Sequence, residues 1–255
     1  MFDTNYYCLV AGLREYSLDG GAKGFDPHAI LDEILRELTP RDLRAVRLLY
    51  GYYDCKNLIA LRAGSPAHDP LGNFARERLK EETEHPRLLP HAIGLVLAAY
   101  ARPDGEEAEE VDTSRPFEQA LFEAYYGLCA ASPSRFLREW SDFDRTLRND
   151  VAEQLRRSSA SDFGLRGELP YIDAVIAAVN DESNLLEKEH KIDRIRWQQA
   201  VDLAAEDYFN VNAVLSYLVR INLVARWTQL DEARGRAMLG QLLRELDGKE
   251  LINNK

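Results

Sequence analysis

A glutamate and a histidine three residues apart on a helix point the same way. Two such pairs facing each other, with further carboxylates on neighbouring helices, can hold a di-iron or di-manganese centre. The chain carries this spacing twice, as Glu82 with His85 and as Glu187 with His190. A dimetal carboxylate oxidase or oxygen-binding protein is therefore one chemistry that the residues allow. Their surroundings point the other way. Pro86 follows His85 directly and ends that helix, and both pairs lie in charged stretches, RERLKEETEH and LLEKEHKIDR, that read as solvated faces. No metal, cofactor or catalytic residue is assigned from the sequence, and the four side chains are kept only as the alternative.

Other reactive constellations are missing. The sequence has no phosphate-loop G-x-x-x-x-G-K-[ST], no G-x-G-x-x-G, no G-x-S-x-G and no H-E-x-x-H. The glycine-rich run at 20–24 follows no strand of parallel-sheet type, so it reads as a surface turn. Cys55 and Cys129 sit beside aromatic residues, where a free thiol acts as a small apolar filler. With Cys8 the cysteines number three, with no C-x-x-C, so neither a disulfide framework nor a zinc ribbon is expected.

What stands out instead is a polar cluster inside an apolar helix, Tyr52-Tyr53-Asp54-Cys55-Lys56-Asn57-Leu58-Ile59-Ala60-Leu61-Arg62. Asp54, Asn57, Leu61 and Arg62 fall at spacings that share one side of a helix, and such a stripe can hydrogen-bond to a neighbouring helix and fix its register. Two loose echoes follow: Trp140 with Asp142, Asp144, Leu147 and Arg148, then Asp207 to Asn212 with Leu215 and Arg220. The theme suggests a degenerate repeat of helical lobes.

The elements that position these residues are helical nearly throughout. Starts are marked by a polar residue before proline, at Asp26-Pro27, Thr39-Pro40 and Ser132-Pro133. Ile30, Leu31, Ile34, Leu35 and Leu38 then form one helical face, and Leu43, Val46, Leu49, Tyr50 and Tyr53 form another, with Asp42 placed to complete a capping box. These two helices are expected to form a tight pair. Further helices are predicted around 74–79, 88–100, 117–128, 136–155, 171–179, 185–208, 211–227 and 233–246, with 6–10 the only strand-like piece. The fold class is all-α, about ten helices in two or three similar lobes. The organisation expected is an N-terminal lobe over 1–101, an acidic linker over 102–116 and a C-terminal region over 117–255, divisible into 117–165 and 166–255.

With 255 residues, of which 45% are apolar, the chain can build a substantial core. Forty-three acidic against 32 basic residues leave a net charge of −11, which argues against wrapping nucleic acid and favours protein partners. The 102–116 segment holds six of those acids between two prolines, and a helical scaffold binding a partner through it is a further alternative. The opening lacks a basic leader, and the longest apolar run, 92–101, is half of the roughly 20 residues a membrane span needs, so a cytoplasmic protein with a buried helix there is expected.

The stretch Tyr53-Asp54-x-x-Asn57-Leu58-x-x-Leu61-Arg62 resembles the aromatic-Asp-x-x-Asn-Leu helix of the C subunit of A/V-type ATPases, known as the d subunit in eukaryotes. The opening Tyr6 to Leu13 and the stretch from Tyr217 to Gly235 are similar to a bacterial family that accompanies V-type ATPase subunits. The resemblance implies three helical lobes arranged as a funnel, joining the rotor stalk to the membrane proteolipid ring. It implies no catalysis, cofactor or metal, with stalk and ring subunits as partners and a peripheral place at the inner face of the membrane. The chain departs from the archaeal pattern in its shorter length, its N-terminus and its blurred second and third motif copies.

Overall fold

The computed structural model describes residues 4–20, 24–102, 105, 110–159 and 185–229. Nine helices and no strand occur among the described residues: α1 (Tyr7–Gly12), α2 (Pro27–Glu37), α3 (Pro40–Arg62), α4 (Arg76–Glu84), α5 (His91–Ala101), α6 (Phe117–Ala130), α7 (Arg135–Ser159), α8 (Leu185–Leu203) and α9 (Val211–Gln229). The fold is all-α. The helices expected over 171–179 and 233–246 lie outside the described residues, as do residues 21–23 of the glycine-rich run and most of 103–109.

Two of the proline-marked starts form as the residue types dictate. The Asp26 carboxylate accepts from the N–H groups of His28 and Ala29, and the Thr39 hydroxyl accepts from Asp42 N–H. The capping box at Thr39 is not closed by Asp42, however. Thr39 N–H donates to the Tyr6 hydroxyl at 3.2 Å, and Tyr6 donates in turn to Asp42 Oδ2 at 2.5 Å. A residue 33 positions upstream thus takes the role that a local glutamate would play. At the third start the cap moves two residues along: Ser134, not Ser132, accepts from Leu137 N–H, and α7 begins after it.

The strand-like 6–10 is helical instead. Tyr6, buried beneath Thr39 and Asp42, anchors α1, and its N–H donates to the Phe209 carbonyl ahead of α9. This long-range docking overrides a weak local preference.

Two hydrophobic cores share one helix. The first gathers Ile34 of α2, Val46, Leu49 and Tyr50 of α3, Phe136 and Leu137 of α7, and Leu215, Leu218 and Ile221 of α9. The second gathers Cys55 and Leu58 of α3, Leu79 of α4, Ile93, Val96 and Leu97 of α5, and Leu121, Tyr125 and Cys129 of α6. At 1.5 Å per residue the 23-residue α3 is about 34 Å long, enough for its two halves to serve separate cores. Helix α9, apolar on most faces, is buried by α2, α3, α7 and α8 together.

Helices α2 and α3 are not the tight pair that their proximity in sequence suggests. Helix α2 docks on α9, and α3 packs against α4, α6 and α9. The two diverge after Thr39: α2 runs to α9, while α3 packs most extensively on α6.

The residues on either side of 102–116 belong to one packed unit. Helices α5 and α6 lie against each other in the second core, and Tyr100 donates to the Arg115 carbonyl at 2.6 Å. Arg115 pairs with Asp112 at 2.8 Å and with Glu123 at 2.7 Å.

Candidate functional site

The polar members of the α3 cluster grip a loop rather than a helix. Asp54, 4% exposed, accepts from Asn73 Nδ2 at 2.6 Å and from Phe74 N–H at 3.3 Å. Asn57, 2% exposed, donates to the Asp69 carbonyl at 2.9 Å and accepts from Asp69 N–H at 2.6 Å. One side-chain amide therefore satisfies both backbone groups of one residue, which a loop lying against apolar helices could not otherwise do. The Asp69 carboxylate closes the arrangement, accepting from Leu71 N–H and pairing with Lys56 at 3.0 Å. The expected helix-to-helix register contact is thus corrected to a helix-to-loop clamp.

The loop's own sequence makes the clamp possible. Helix α3 ends in a Schellman motif, with Ser65 N–H bonded to the Ala60 carbonyl, Gly64 N–H to Leu61, and Gly64 at φ +67°. Further on, a Cβ at Gly72 would lie 2.8 Å from both Asn57 Nδ2 and Asp54 Oδ1, so only glycine lets the loop approach this closely. Burial pushes the Asp54 carboxyl up to about 6, while the Asn73 and Phe74 donors pull it back.

The other motif residues go elsewhere. Leu58 is buried in the second core and Leu61 packs at its margin. Arg62 does not join Asp54. Its guanidinium lies 4.6 Å from the Phe117 ring centre and donates to the Tyr100 carbonyl at 3.4 Å, tying α3 to α5 and α6. Tyr53 packs against the first core, with Lys56 5.6 Å from its ring centre.

Glu82 and His85 do not meet Glu187 and His190 in a metal site: no group of three or more His, Cys, Asp or Glu side chains among the described residues could hold an ion. The reading of both charged stretches as wholly solvated is also corrected. Glu82 is 1% exposed, and one of its oxygens accepts from the N–H groups of Arg87, Leu88 and Leu89 at 2.7, 2.8 and 3.2 Å. It caps the turn that leads into α5. Burial favours the neutral acid, but those donors and Arg78 outweigh it and hold the carboxyl below its usual range. His85 is exposed, Glu187 is exposed, and His190 pairs with Asp19 at 3.1 Å with its ring against Trp227. Glu82→Ala is expected to lower stability by about 1–3 kcal/mol at neutral pH, because three N–H groups lose their acceptor. A carboxyl held low stabilises only where it is ionised, so denaturation midpoints of variant and wild type should converge as pH falls below about 4. A gap that persists unchanged into acid would refute the cap.

A second polar centre takes in Asp144 of the Trp140 echo, but its hub had no signal in the sequence. Asp193 of α8, in the stretch read as solvated, is 0% exposed and accepts from Arg196 at 2.8 Å, Arg226 at 2.8 Å and Trp227 Nε1 at 2.9 Å. Arg226 also reaches Glu189, and Arg196 reaches Asp144 at 3.4 Å. Asp144 accepts from Tyr126 at 3.0 Å, and Arg148 stacks 4.2 Å from the Phe122 ring centre. Only Asp193 with Arg196, three apart, could have been paired from spacing. Tyr126, Asp144, Glu189, Asp193, Arg196 and Arg226 line a cavity of about 500 Å³ between α3, α6, α7, α8 and α9. Lys56, Arg196 and Arg226, its cations, are all matched by carboxylates, so they leave no free charge for an anionic ligand.

The buried thiols are chemically quiet as well. Burial raises Cys55 and Cys129 above the ordinary thiol range, as expected for core fillers.

The α3 clamp and the second core lie within the stretch where the chain matches a known family model, described as "Protein of unknown function (DUF2764)", which covers residues 3–150 and 148–249. The chain belongs to this family. No curated protein and no solved structure matches it. In this DUF2764 member, the α3 clamp falls within the first matched stretch and the Asp193 centre within the second.

Proposed function

We propose that this chain is a non-catalytic adaptor of a V/A-type rotary ATPase, joining the central rotor stalk to the membrane proteolipid ring during proton or sodium transport. The observation that carries this reading is the Tyr53 to Arg62 stretch of α3. Its resemblance to the rotary ATPase helix is matched by a structural use: Asp54 and Asn57 are spent on the chain's own loop, and Arg62 on its own aromatic rings. A motif used to stiffen a helical body suits a part that transmits torque between two machines. The dimetal alternative loses its motivation, because Glu82 serves as a backbone cap and His190 is occupied by Asp19 and Trp227.

Such an adaptor works at the inner face of the membrane through its partners. No helix among the described residues is long and apolar enough to cross a membrane. Gentle detergent extraction of native membranes, followed by affinity purification through this chain, is expected to recover rotor-stalk and proteolipid subunits in fixed proportion. Recovery of the chain without either would refute the adaptor.

A further inference from the structure

The splay of α2 from α3 leaves an open groove of about 810 Å³, within the size range of ligand pockets. Each helix lines it with one stripe: His28, Leu31, Asp32 and Leu35 from α2, and Arg44, Arg47, Leu48 and Gly51 from α3. Leu88, 56% exposed, adds an apolar side chain at the rim. Arg44 and Arg47 are exposed one turn apart, and neither guanidinium has an ion-pair partner among the described residues. Among the described residues Asp32 is the single exposed carboxylate lining the groove, since Asp54 is buried and committed to Asn73 and Phe74. A chain of net charge −11 therefore presents here, among the described residues, two unpaired cations above an apolar floor.

We propose that this groove receives an acidic amphipathic helix of a partner protein, its apolar face on Leu31, Leu35, Leu48 and Leu88 and its carboxylates opposite Arg44 and Arg47. Two stripes at helical spacing fit a third helix laid against them, whose residues at i, i+3, i+4 and i+7 supply the apolar contact. Unpaired guanidiniums select acidic flanks and repel basic ones, which sets specificity and association rate. The inference is independent of the rotary ATPase reading, and either can fail alone.

The test uses the full chain and a labelled synthetic peptide of about five helical turns, with leucine at those spacings and glutamate on the flanks. Fluorescence anisotropy should show saturable binding that weakens at least about tenfold in Arg44→Glu/Arg47→Glu, and likewise in Leu88→Asp, with circular dichroism unchanged. Binding should also fall with added salt. The proposal is overturned if the peptide does not bind, if its lysine-flanked counterpart binds equally, or if a glycine-interrupted peptide of the same charge does. It is also overturned if sedimentation shows a concentration-dependent dimer abolished by the same variants, which would make the occupant a second copy of this chain.

Discussion

Asp193→Ala is expected to cost about 3–5 kcal/mol of folding free energy, the penalty typical of removing one partner from a buried ion pair. The cost comes from what stays behind. Among the described residues Arg196 would retain only Asp144 at 3.4 Å, and Trp227 Nε1–H would lose the Asp193 acceptor. Arg226 would fall back on Glu189 among the described residues. Burial disfavours the Arg196 guanidinium, and the charges of Asp144 and Asp193 overcome this and raise it above its usual value. Without Asp193 that compensation is left to Asp144. Asp193→Asn keeps the shape and removes the charge, so an intermediate loss is expected. Replacing the pair together, as Asp193→Leu with Arg196→Met, should recover part of the loss, because the buried Arg196 guanidinium is no longer left behind, although Arg226, Trp227 and Asp144 each still lose a partner. Urea denaturation of the three variants checks the order. A loss below about 1 kcal/mol in Asp193→Ala would show that water reaches the cluster and screens it.

This centre also shows where the sequence stops being informative. Asp193 stands in a run of charges that locally resembles any exposed helix face, and its partner Arg226 is 33 residues away on another helix. Nothing in helical spacing encodes a pairing across two helices. The helices themselves are legible because their signals are local: Asp26 and Thr39 ahead of proline, and apolar residues repeating every three or four positions. The same locality explains the misses. The true partner of Thr39 N–H is Tyr6, supplied by tertiary docking, and α2 turns away from α3 to reach α9. Glu82 reads as solvated because the donors it accepts from lie on a turn, after Pro86, that carries no apolar period of its own. For the α3 cluster the residues are legible and the partners are not. Burial of Asp54 and Asn57 follows from their place on an apolar helix, while the loop they hold is identified only by Gly72, whose missing side chain has no meaning until the loop is laid against the helix.

That clamp has a pH signature that separates it from a merely buried polar pair. At about pH 4, Asp54→Ala is expected to lose about 1–3 kcal/mol, since Asn73 Nδ2 and Phe74 N–H lose their acceptors beneath the loop. The folded carboxyl titrates near 6 against an ordinary 3.8, so between those values the folded chain holds a proton that the unfolded chain has released. Stability contributed by the group is therefore complete below about pH 4 and declines as pH rises towards 6. A shift of about two units corresponds to about 3 kcal/mol, so the gap between wild type and variant should narrow steeply over this window. The direction is opposite to that at Glu82, whose carboxyl is held low and whose contribution fades in acid. Gly72→Ala tests the same contact from the loop side. Its new Cβ would press on Asp54 Oδ1 and Asn57 Nδ2, both fixed by hydrogen bonds, so the loop must lift and the Asp54 carboxyl must gain water. In that background the pH dependence attributed to Asp54 should flatten as its burial is relieved. Thermal melts of the three proteins from pH 4 to 7 decide the matter, and a wild-type-to-Asp54→Ala gap that stays constant or widens with pH would mean that the carboxylate is solvated and the loop is held by Asn57 alone.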